Sequence, residues 1–123
     1  MAEERCIVIV DDDEMSLRRA EFILKKTSHR ILTAASGDEC IRILQEEPVD
    51  LIFLDVKMPE KDGVETLREI RSMDGFADLP VVFLTGTEDS ERMQEAKELG
   101  AKDFVIKPIK PQDLMAQAEA ALF

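Results

Sequence analysis

The chain has 123 residues, which is the size of one compact domain, and 45% of them are hydrophobic, which excludes a wholly disordered chain. Acidic side chains outnumber basic ones by 27 to 16, so the formal net charge is −11. This charge repels nucleic-acid phosphates and anionic membrane surfaces, and it favours basic partners and bound cations. No apolar run approaches the roughly 20 residues of a membrane span, and the acidic N-terminus does not resemble a signal peptide. We therefore expect a cytoplasmic protein that binds neither DNA nor membranes directly.

Two hydrophobic periods alternate along the chain and predict strands and helices in turn. Short runs rich in β-branched residues predict strands at residues 6–10, 30–33, 51–54, 81–84 and 103–106. Stretches with helical spacing of apolar residues separate these runs and follow the last one. The starts of three helices are marked by two predicted capping boxes, Ser36 with Glu39 and Asp62 with Glu65, and by Pro111 at a first helical position.

Strands that alternate with helices form a parallel sheet with right-handed crossovers and helices on both faces. The apolar runs IVIV, LIFL and VVFL predict central strands, whereas the more polar strand at 30–33 belongs at an edge. We therefore predict an α/β fold with a five-stranded parallel sheet in the order 2-1-3-4-5, five helices in a three-layer αβα arrangement, and one domain over residues 1–123. The fourth helix, predicted at 88–99, has a sparse apolar stripe, so we expect it to be a mobile element.

Reactive polar side chains follow four of the five predicted strands. Asp11 and Asp12 follow the first strand, Asp55 the third, Thr85 the fourth and Lys107 the fifth. Ligands of such sheets bind beyond the carboxyl ends of the strands at the switch point, so these residues are expected to share one small mouth. Three carboxylates so close together repel one another, and one of them keeps its proton unless a cation neutralises the group. Mg²⁺ prefers a site that has few carboxylates, open positions for water and a phosphate group to share.

Four segments carry a resemblance to a known family. The motifs IVIVDDDEMSLRR, LIFLDVKMPEKDG, VVFLTGT and AKDFVIKP, in this order and spacing, resemble the receiver domain of two-component response regulators. The resemblance extends over about residues 5–122, which is nearly the whole chain, and the LDxxMPxxDG pattern is its most specific part. It implies a flavodoxin-like fold and a single receiver domain.

The resemblance also implies a phosphorylation site. Asp55 is the implied phosphate-accepting nucleophile, and a carboxylate that attacks phosphorus forms a labile acyl phosphate suited to a signal. Asp11 and Asp12 are the implied ligands of Mg²⁺, with Mn²⁺ as an alternative, together with Asp55 itself and the backbone carbonyl of Lys57. Lys107 is implied to contact the phosphoryl oxygens as a point charge.

The same resemblance implies a switch that reads the phosphoryl group. Thr85 contacts that group through its hydroxyl, and Phe104 occupies the position of the aromatic switch residue. The Lys107–Pro108 peptide bond is expected to be cis. Two further side chains, Lys57 and Thr87, flank the expected path of attacking water, so we expect them to prolong the life of the phosphorylated state.

The function implied is a phosphorylation-activated signalling switch that receives its phosphoryl group from a phosphohistidine. The donor is a sensor histidine kinase or a histidine phosphotransfer protein, and the altered surface lies around the fourth helix, the fifth strand and the fifth helix. That surface would bind a downstream protein, an output domain missing from this chain, or a second copy in a phosphorylation-dependent homodimer. Beyond its own phosphorylation and dephosphorylation, the chain is not expected to be an enzyme.

Three other functions fit the sequence less well. A haloacid-dehalogenase-like phosphatase usually carries a second Asp two positions after its nucleophile, where this chain has Lys57, and it needs a cap for which no residues are spare. A phosphorylation-independent binding module would have lost a reactive residue, but all are present. Nucleotide binding is disfavoured because neither GxGxxG nor GxxxxGK[ST] occurs.

Overall fold

The computed structural model describes residues 4–86 and 90–123. Within these residues the strands are β1 Cys6–Val10, β2 Arg30–Ala34, β3 Leu51–Asp55, β4 Val81–Thr85 and β5 Asp103–Ile106. The helices are α1 Glu14–Leu24, α2 Gly37–Glu46, α3 Gly63–Ser72, α4 Ser90–Glu98 and α5 Pro111–Leu122. The strands form one parallel sheet in the order β2-β1-β3-β4-β5, which confirms the predicted topology and the edge position of β2.

The sheet separates two hydrophobic cores because alternate side chains of a strand point to opposite faces. Ile7 and Ile9 of β1 pack with α1 and α5, whereas Val8 and Val10 pack with α2, α3 and α4. Every residue of the central strands β1, β3 and β4 is buried, and their sequences are apolar except for Asp55 and Thr85 at the carboxyl ends of β3 and β4. The arrangement is the predicted three-layer αβα fold. In the described part of the chain, no helix is long and apolar enough to cross a membrane.

The two predicted capping boxes differ in the structure. In α3 the box is complete: the Asp62 side chain accepts a hydrogen bond from the Glu65 N–H, and the Glu65 side chain accepts one from the Asp62 N–H. In α2 the Ser36 hydroxyl accepts from the Glu39 N–H as predicted, but the Glu39 carboxylate accepts from the N–H of Ala35. The second box is therefore half formed, because Glu39 satisfies the N–H one residue earlier.

The helix α4 is held more by polar contacts than by apolar packing. Of its described side chains, Ala96 is fully buried and the others are partly or fully exposed. Its C-terminal end is fixed by the guanidinium of Arg71 on α3, which donates hydrogen bonds to the carbonyls of Leu99 and Gly100 just after α4. The same guanidinium also donates to the carbonyls of Phe76 and Leu79 in the α3–β4 loop. Residues 88 and 89, which were predicted to begin this helix, lie outside the described residues.

Candidate functional site

The carboxyl ends of four strands bring the predicted reactive residues to one edge of the sheet. Asp11 directly follows β1, and Asp55 is the last residue of the neighbouring strand β3. Thr85 is the last residue of β4, and Lys107 directly follows β5, with its N–H donating to the Thr85 carbonyl at 2.8 Å. The parallel register therefore places an acid pair, a hydroxyl and an ammonium around one mouth.

Three carboxylates form a cluster that could hold a cation. Asp11, Asp12 and Asp55 each offer one oxygen, and these atoms lie within 4.8 Å of one another. Asp11 and Asp55 are only 1% and 5% exposed, whereas Asp12 is exposed to solvent. Hard carboxylate oxygens of this number, with one side open to water, fit the ligand preference of Mg²⁺.

Lys107 places a cation against this cluster. Its Nζ lies 3.0 Å from Asp11 Oδ2 and 3.1 Å from Asp55 Oδ1. Burial alone would lower the pKa of Lys107, but the two carboxylates outweigh it and raise the pKa above its ordinary value. The peptide bond between Lys107 and Pro108 is cis, as predicted.

Asp55 is the most perturbed acid of the site. Burial and the nearby charge of Asp11 raise its pKa to about 7, and the contact with Lys107 opposes this rise without cancelling it. The raised pKa agrees with the expectation that one carboxyl of the cluster keeps its proton when no other cation neutralises the group. A buried carboxyl with a strongly shifted pKa at the mouth of a sheet is a candidate reactive group.

The loop from β3 to α3 surrounds Asp55 on one side. The Gly63 N–H donates to the Val56 carbonyl at 2.8 Å, and a Cβ at Gly63 would lie 2.1 Å from the backbone oxygen of Asp55. A glycine is therefore required for α3 to start this close to the predicted nucleophile. Lys57 is exposed in this loop, beside an open cavity of about 440 Å³ between the loop and α4.

The two predicted switch residues lie on adjacent strands. Thr85 is buried, and its hydroxyl donates to the Gly86 carbonyl at 2.9 Å. Phe104 is half-buried and stacks on Phe83 of β4, with ring centroids 6.1 Å apart and an interplanar angle of 22°. Thr87, which was predicted to prolong the phosphorylated state, lies outside the described residues.

Sequence reasoning does not single out one contact beside this site. Arg92 of α4 forms an ion pair with Asp62, the residue that caps α3, and borders the same cavity as Lys57. The sequence marks Asp62 as a cap but does not indicate its partner, because a pair 30 residues apart on different elements leaves no periodic pattern.

Comparisons with known proteins agree with this geometry. The family model described as "Response regulator receiver domain" matches residues 7–119. The transcriptional regulatory protein AfsQ1 of Streptomyces coelicolor is 37% identical over 116 residues, which are 94% of this chain and 50% of that protein. The probable transcriptional regulator ycf27 of Cyanophora paradoxa is 38% identical over 116 residues, or 94% of this chain and 47% of the relative. This chain therefore spans about half the length of these curated relatives.

Solved structures share the whole fold. The chemotaxis protein CheY4 of Vibrio cholerae superposes with a TM-score of 0.91 at 28% identity, over 98% of this chain and 100% of that one. The receiver domain of NtrX from Brucella abortus superposes with a TM-score of 0.86 at 32% identity, over 94% and 97% of the two chains.

Proposed function

We propose, because the chain belongs to the response regulator receiver domain family, that it is a signalling switch in which Asp55 accepts a phosphoryl group. The observation that carries this proposal is that Asp11, Asp55 and Lys107 converge on one point. The Lys107 ammonium lies 3.0 Å from Asp11 Oδ2 and 3.1 Å from Asp55 Oδ1. Residues 1–123 would act as one receiver domain in the cytoplasm. No substrate other than its own phosphoryl donor is part of this proposal.

In this mechanism an oxygen of the ionised Asp55 carboxylate attacks phosphorus, and the bond from phosphorus to the donor nitrogen or oxygen breaks in line. The leaving group departs with the electron pair of that bond, and an acyl phosphate remains on Asp55. Asp11, Asp12 and Asp55, with the backbone carbonyl of Lys57, would hold Mg²⁺ or Mn²⁺, which when bound supplies positive charge to the phosphoryl oxygens. Lys107 transfers its contact from the free carboxylates to the new phosphoryl oxygens. Its ammonium thereby stays next to the negative charge that the phosphoryl group brings into the site.

The switch would then begin at Thr85. Its hydroxyl leaves the Gly86 carbonyl and donates to a phosphoryl oxygen, which draws the end of β4 toward the site. Phe104, which stacks on Phe83, fills space that this movement vacates. The result is a repacked surface formed by α4, β5 and α5, where a partner can distinguish the two states.

We further propose that the donor is the phosphohistidine of a sensor kinase or of a phosphotransfer protein. The curated relatives are about twice as long as this chain, which supports the proposal that the signal passes to an output domain or to a downstream protein. A homodimer formed through the switched surface is a further way to transmit it.

Phosphoryl uptake tests the proposed function. The parent, incubated with acetyl phosphate or phosphoramidate and Mg²⁺, should gain one phosphoryl group in intact-mass analysis, and a chelator should prevent this. Asp55→Asn should gain none, whereas Asp74→Asn, at an exposed acid of the α3–β4 loop, should behave like the parent. Equal labelling of Asp55→Asn would place the acceptor elsewhere. A parent that takes up no phosphoryl group would favour the phosphorylation-independent binding module.

A further inference from the structure

We propose that Arg92 is a positioning residue, which holds α4 against the β3–α3 loop through Asp62 and thereby opposes the switch until Asp55 is phosphorylated. This inference rests on the proposed function of Asp55 and adds to it a control element in the unphosphorylated protein. Four observations carry it, which are the geometry of the pair, its extension into a network, the weak apolar packing of α4, and the backbone link from Asp62 to Asp55.

The contact between Arg92 and Asp62 is a bidentate ion pair. Arg92 Nη2 lies 2.7 Å from Asp62 Oδ1 and 2.6 Å from Oδ2, and Arg92 Nε lies 3.0 Å from Oδ2. The two side chains are 32% and 24% exposed, so water screens this pair less than it screens a surface pair. Parallel N–H donors on both carboxylate oxygens give the pair directional strength, which a lysine cannot reproduce.

The pair extends into a network that joins α3 and α4. Arg92 Nη1 donates to Glu95 Oε1 at 2.7 Å, and Arg68 of α3 donates to the other oxygen of Glu95 at 3.1 Å. Charges therefore alternate through Asp62, Arg92, Glu95 and Arg68. The contact between Arg68 and Glu95 is more exposed, at 57% and 39%, so the larger share of the hold on α4 falls to Arg92.

This hold matters because α4 has little hydrophobic surface to secure it. Ala96 is the fully buried residue among its described side chains, and burial of one alanine stabilises a helix little. The Arg71 contacts hold the C-terminal end of α4, whereas Arg92 lies in the first turn. Loss of the Arg92 contact should therefore free the N-terminal end while the other end stays in place.

Asp62 connects this end of α4 to the phosphoacceptor. Its carboxylate caps α3 through the Glu65 N–H while it binds Arg92. The next residue, Gly63, donates to the Val56 carbonyl and lies against the backbone oxygen of Asp55. Arg92 therefore acts on Asp55 through the side chain of Asp62 and the backbone of Gly63, the first residue of α3.

The direction of the effect follows from the proposed switch. Movement of the Thr85 hydroxyl toward a phosphoryl group would pull the neighbouring Gly86, which comes before α4 in the chain. An ion pair that fixes the first turn of α4 on Asp62 resists this movement, so it stabilises the unphosphorylated state relative to the phosphorylated one. Its removal should make phosphorylation easier, by about fivefold in rate if the pair contributes as much as a good partly exposed ion pair.

The experiment compares Arg92→Met with Arg68→Met. Arg92→Met keeps an aliphatic stem but has no donor for Asp62, and Arg68→Met removes the other ion pair between α3 and α4 without touching Asp62. Two quantities are measured for each: amide hydrogen exchange along α4 in the metal-free protein, and the rate of phosphorylation by acetyl phosphate with Mg²⁺. We expect both to rise about fivefold in Arg92→Met and by less than twofold in Arg68→Met.

Three further variants separate positioning from general destabilisation. Arg92→Lys keeps the charge but not the bidentate contact, so it should lie between the parent and Arg92→Met. Asp62→Asn keeps a capping oxygen, and the double variant Arg92→Met/Asp62→Asn should phosphorylate no faster than Arg92→Met because both changes break the same contact. Thermal unfolding of all variants checks that the fold is kept.

Unchanged exchange in α4, or faster exchange with an unchanged phosphorylation rate, would overturn the inference while leaving the proposed function intact. A slower rate in Arg92→Met would overturn it too, because the pair would then assist the reaction. A parent that is not phosphorylated would overturn the proposed function and this inference with it.

Discussion

Lys107 Nζ lies 3.1 Å from Asp55 Oδ1, and the same ammonium lies 3.0 Å from Asp11 Oδ2. One positive charge is therefore shared by two carboxylates that are almost fully removed from water. One ammonium carries a single positive charge, so the pair keeps a net negative charge when both carboxyls are ionised. Because removing charged groups from water is unfavourable, the protein keeps this arrangement at a cost in stability.

The unfolding free energy of the metal-free protein should fall as the pH rises from about 5 to about 8. Burial and Asp11 raise the pKa of Asp55 to about 7, so the folded protein binds a proton in this range that the unfolded chain does not. The stabilisation from the proton that folded Asp55 holds is fully present below the pKa of Asp55 in the unfolded chain. It is lost as the pH rises through the pKa of Asp55 in the folded protein. We expect a loss of about 2 kcal/mol, measured by urea unfolding in chelator.

Asp55→Asn should remove most of this pH dependence, because the amide does not titrate. The other charged groups that face Asp55, namely Asp11, Asp12 and Lys107, remain in that variant and provide the comparison. Asp74→Asn should keep the slope of the parent. A parent whose stability is flat over this range would show that Asp55 is ionised throughout.

Lys107→Gln should destabilise the metal-free protein by about 2 kcal/mol at about pH 8, since it leaves Asp11 and Asp55 without their shared cation. The loss should be smaller near pH 5, because a protonated Asp55 no longer needs the ammonium. Urea unfolding at both pH values tests this. Lys102→Gln, at an exposed lysine just before β5, is the matched control and should change stability little at either pH.

Lys57→Ala should shorten the life of the phosphorylated protein. Lys57 is exposed and lies two residues beyond Asp55, so we expect its charge to meet a phosphoryl oxygen and its stem to cover part of the path of water. A contact of about 1 kcal/mol changes the hydrolysis rate by about fivefold, so a larger effect requires obstruction of water. The half-life of the phosphorylated protein in Mg²⁺ buffer is the measurement.

Lys61→Ala serves as the control for this change, because Lys61 belongs to the same loop but binds Asp38 and Glu69. We expect it to dephosphorylate like the parent. If Lys57→Ala loses its phosphoryl group no faster than the parent, the lifetime is set by other residues. The contribution predicted for Thr87 stays a prediction from the sequence.

Gly63→Ala should be more damaging than Gly37→Ala, although both glycines are first residues of helices. A Cβ at Gly63 meets the backbone oxygen of Asp55 at 2.1 Å, and a backbone atom of a buried strand cannot move without moving the site. A Cβ at Gly37 meets the Thr66 hydroxyl at 2.1 Å, and that side chain can rotate at the cost of its hydrogen bond to the Asp62 carbonyl.

We expect Gly63→Ala to lose about 3 kcal/mol of stability and most phosphorylation, and Gly37→Ala to lose about 1 kcal/mol. Urea unfolding and intact-mass analysis of phosphoryl uptake would be run on both variants. An equal loss of stability in the two variants would mean that the backbone at the start of α3 shifts as easily as the Thr66 side chain rotates.

The fold was predictable because buried parallel strands must be apolar on both faces, and few other patterns produce runs such as LIFL. The strand ends were less predictable. Asp55 and Thr85 were expected just after β3 and β4, but each is the last paired residue of its strand. The apolar pattern ends at the last hydrophobic side chain, whereas the backbone pairing continues into the buried polar residues Asp55 and Thr85.

The clustering of the site followed from topology, because the carboxyl ends of neighbouring parallel strands must meet. The contact of Arg92 with Asp62 could not be predicted in this way, because it depends on the rotamers of two side chains on elements far apart in sequence. The half-formed cap at Ser36 has a similar cause. The sequence predicts that a glutamate will satisfy an N–H near a helix start, but local backbone geometry decides which one.

The Arg71 guanidinium gives α4 a fixed end, and this determines what kind of motion the helix can make. Its acceptors after α4 are the uncharged carbonyls of Leu99 and Gly100, whereas the acceptor at the opposite end is a carboxylate, so added salt should weaken the Arg92 end much more than the Arg71 end. If the contact at Arg92 is lost, we expect the helix to turn about its fixed end near Gly100, with a distance of about 12 Å from that end to Arg92. A swing of about 10° moves Arg92 by about 2 Å, which exceeds what a hydrogen bond tolerates. Under the proposed switch, a small rotation would be enough to change the outer surface of α4 when Asp55 is phosphorylated, and we expect added salt to favour the same rotation.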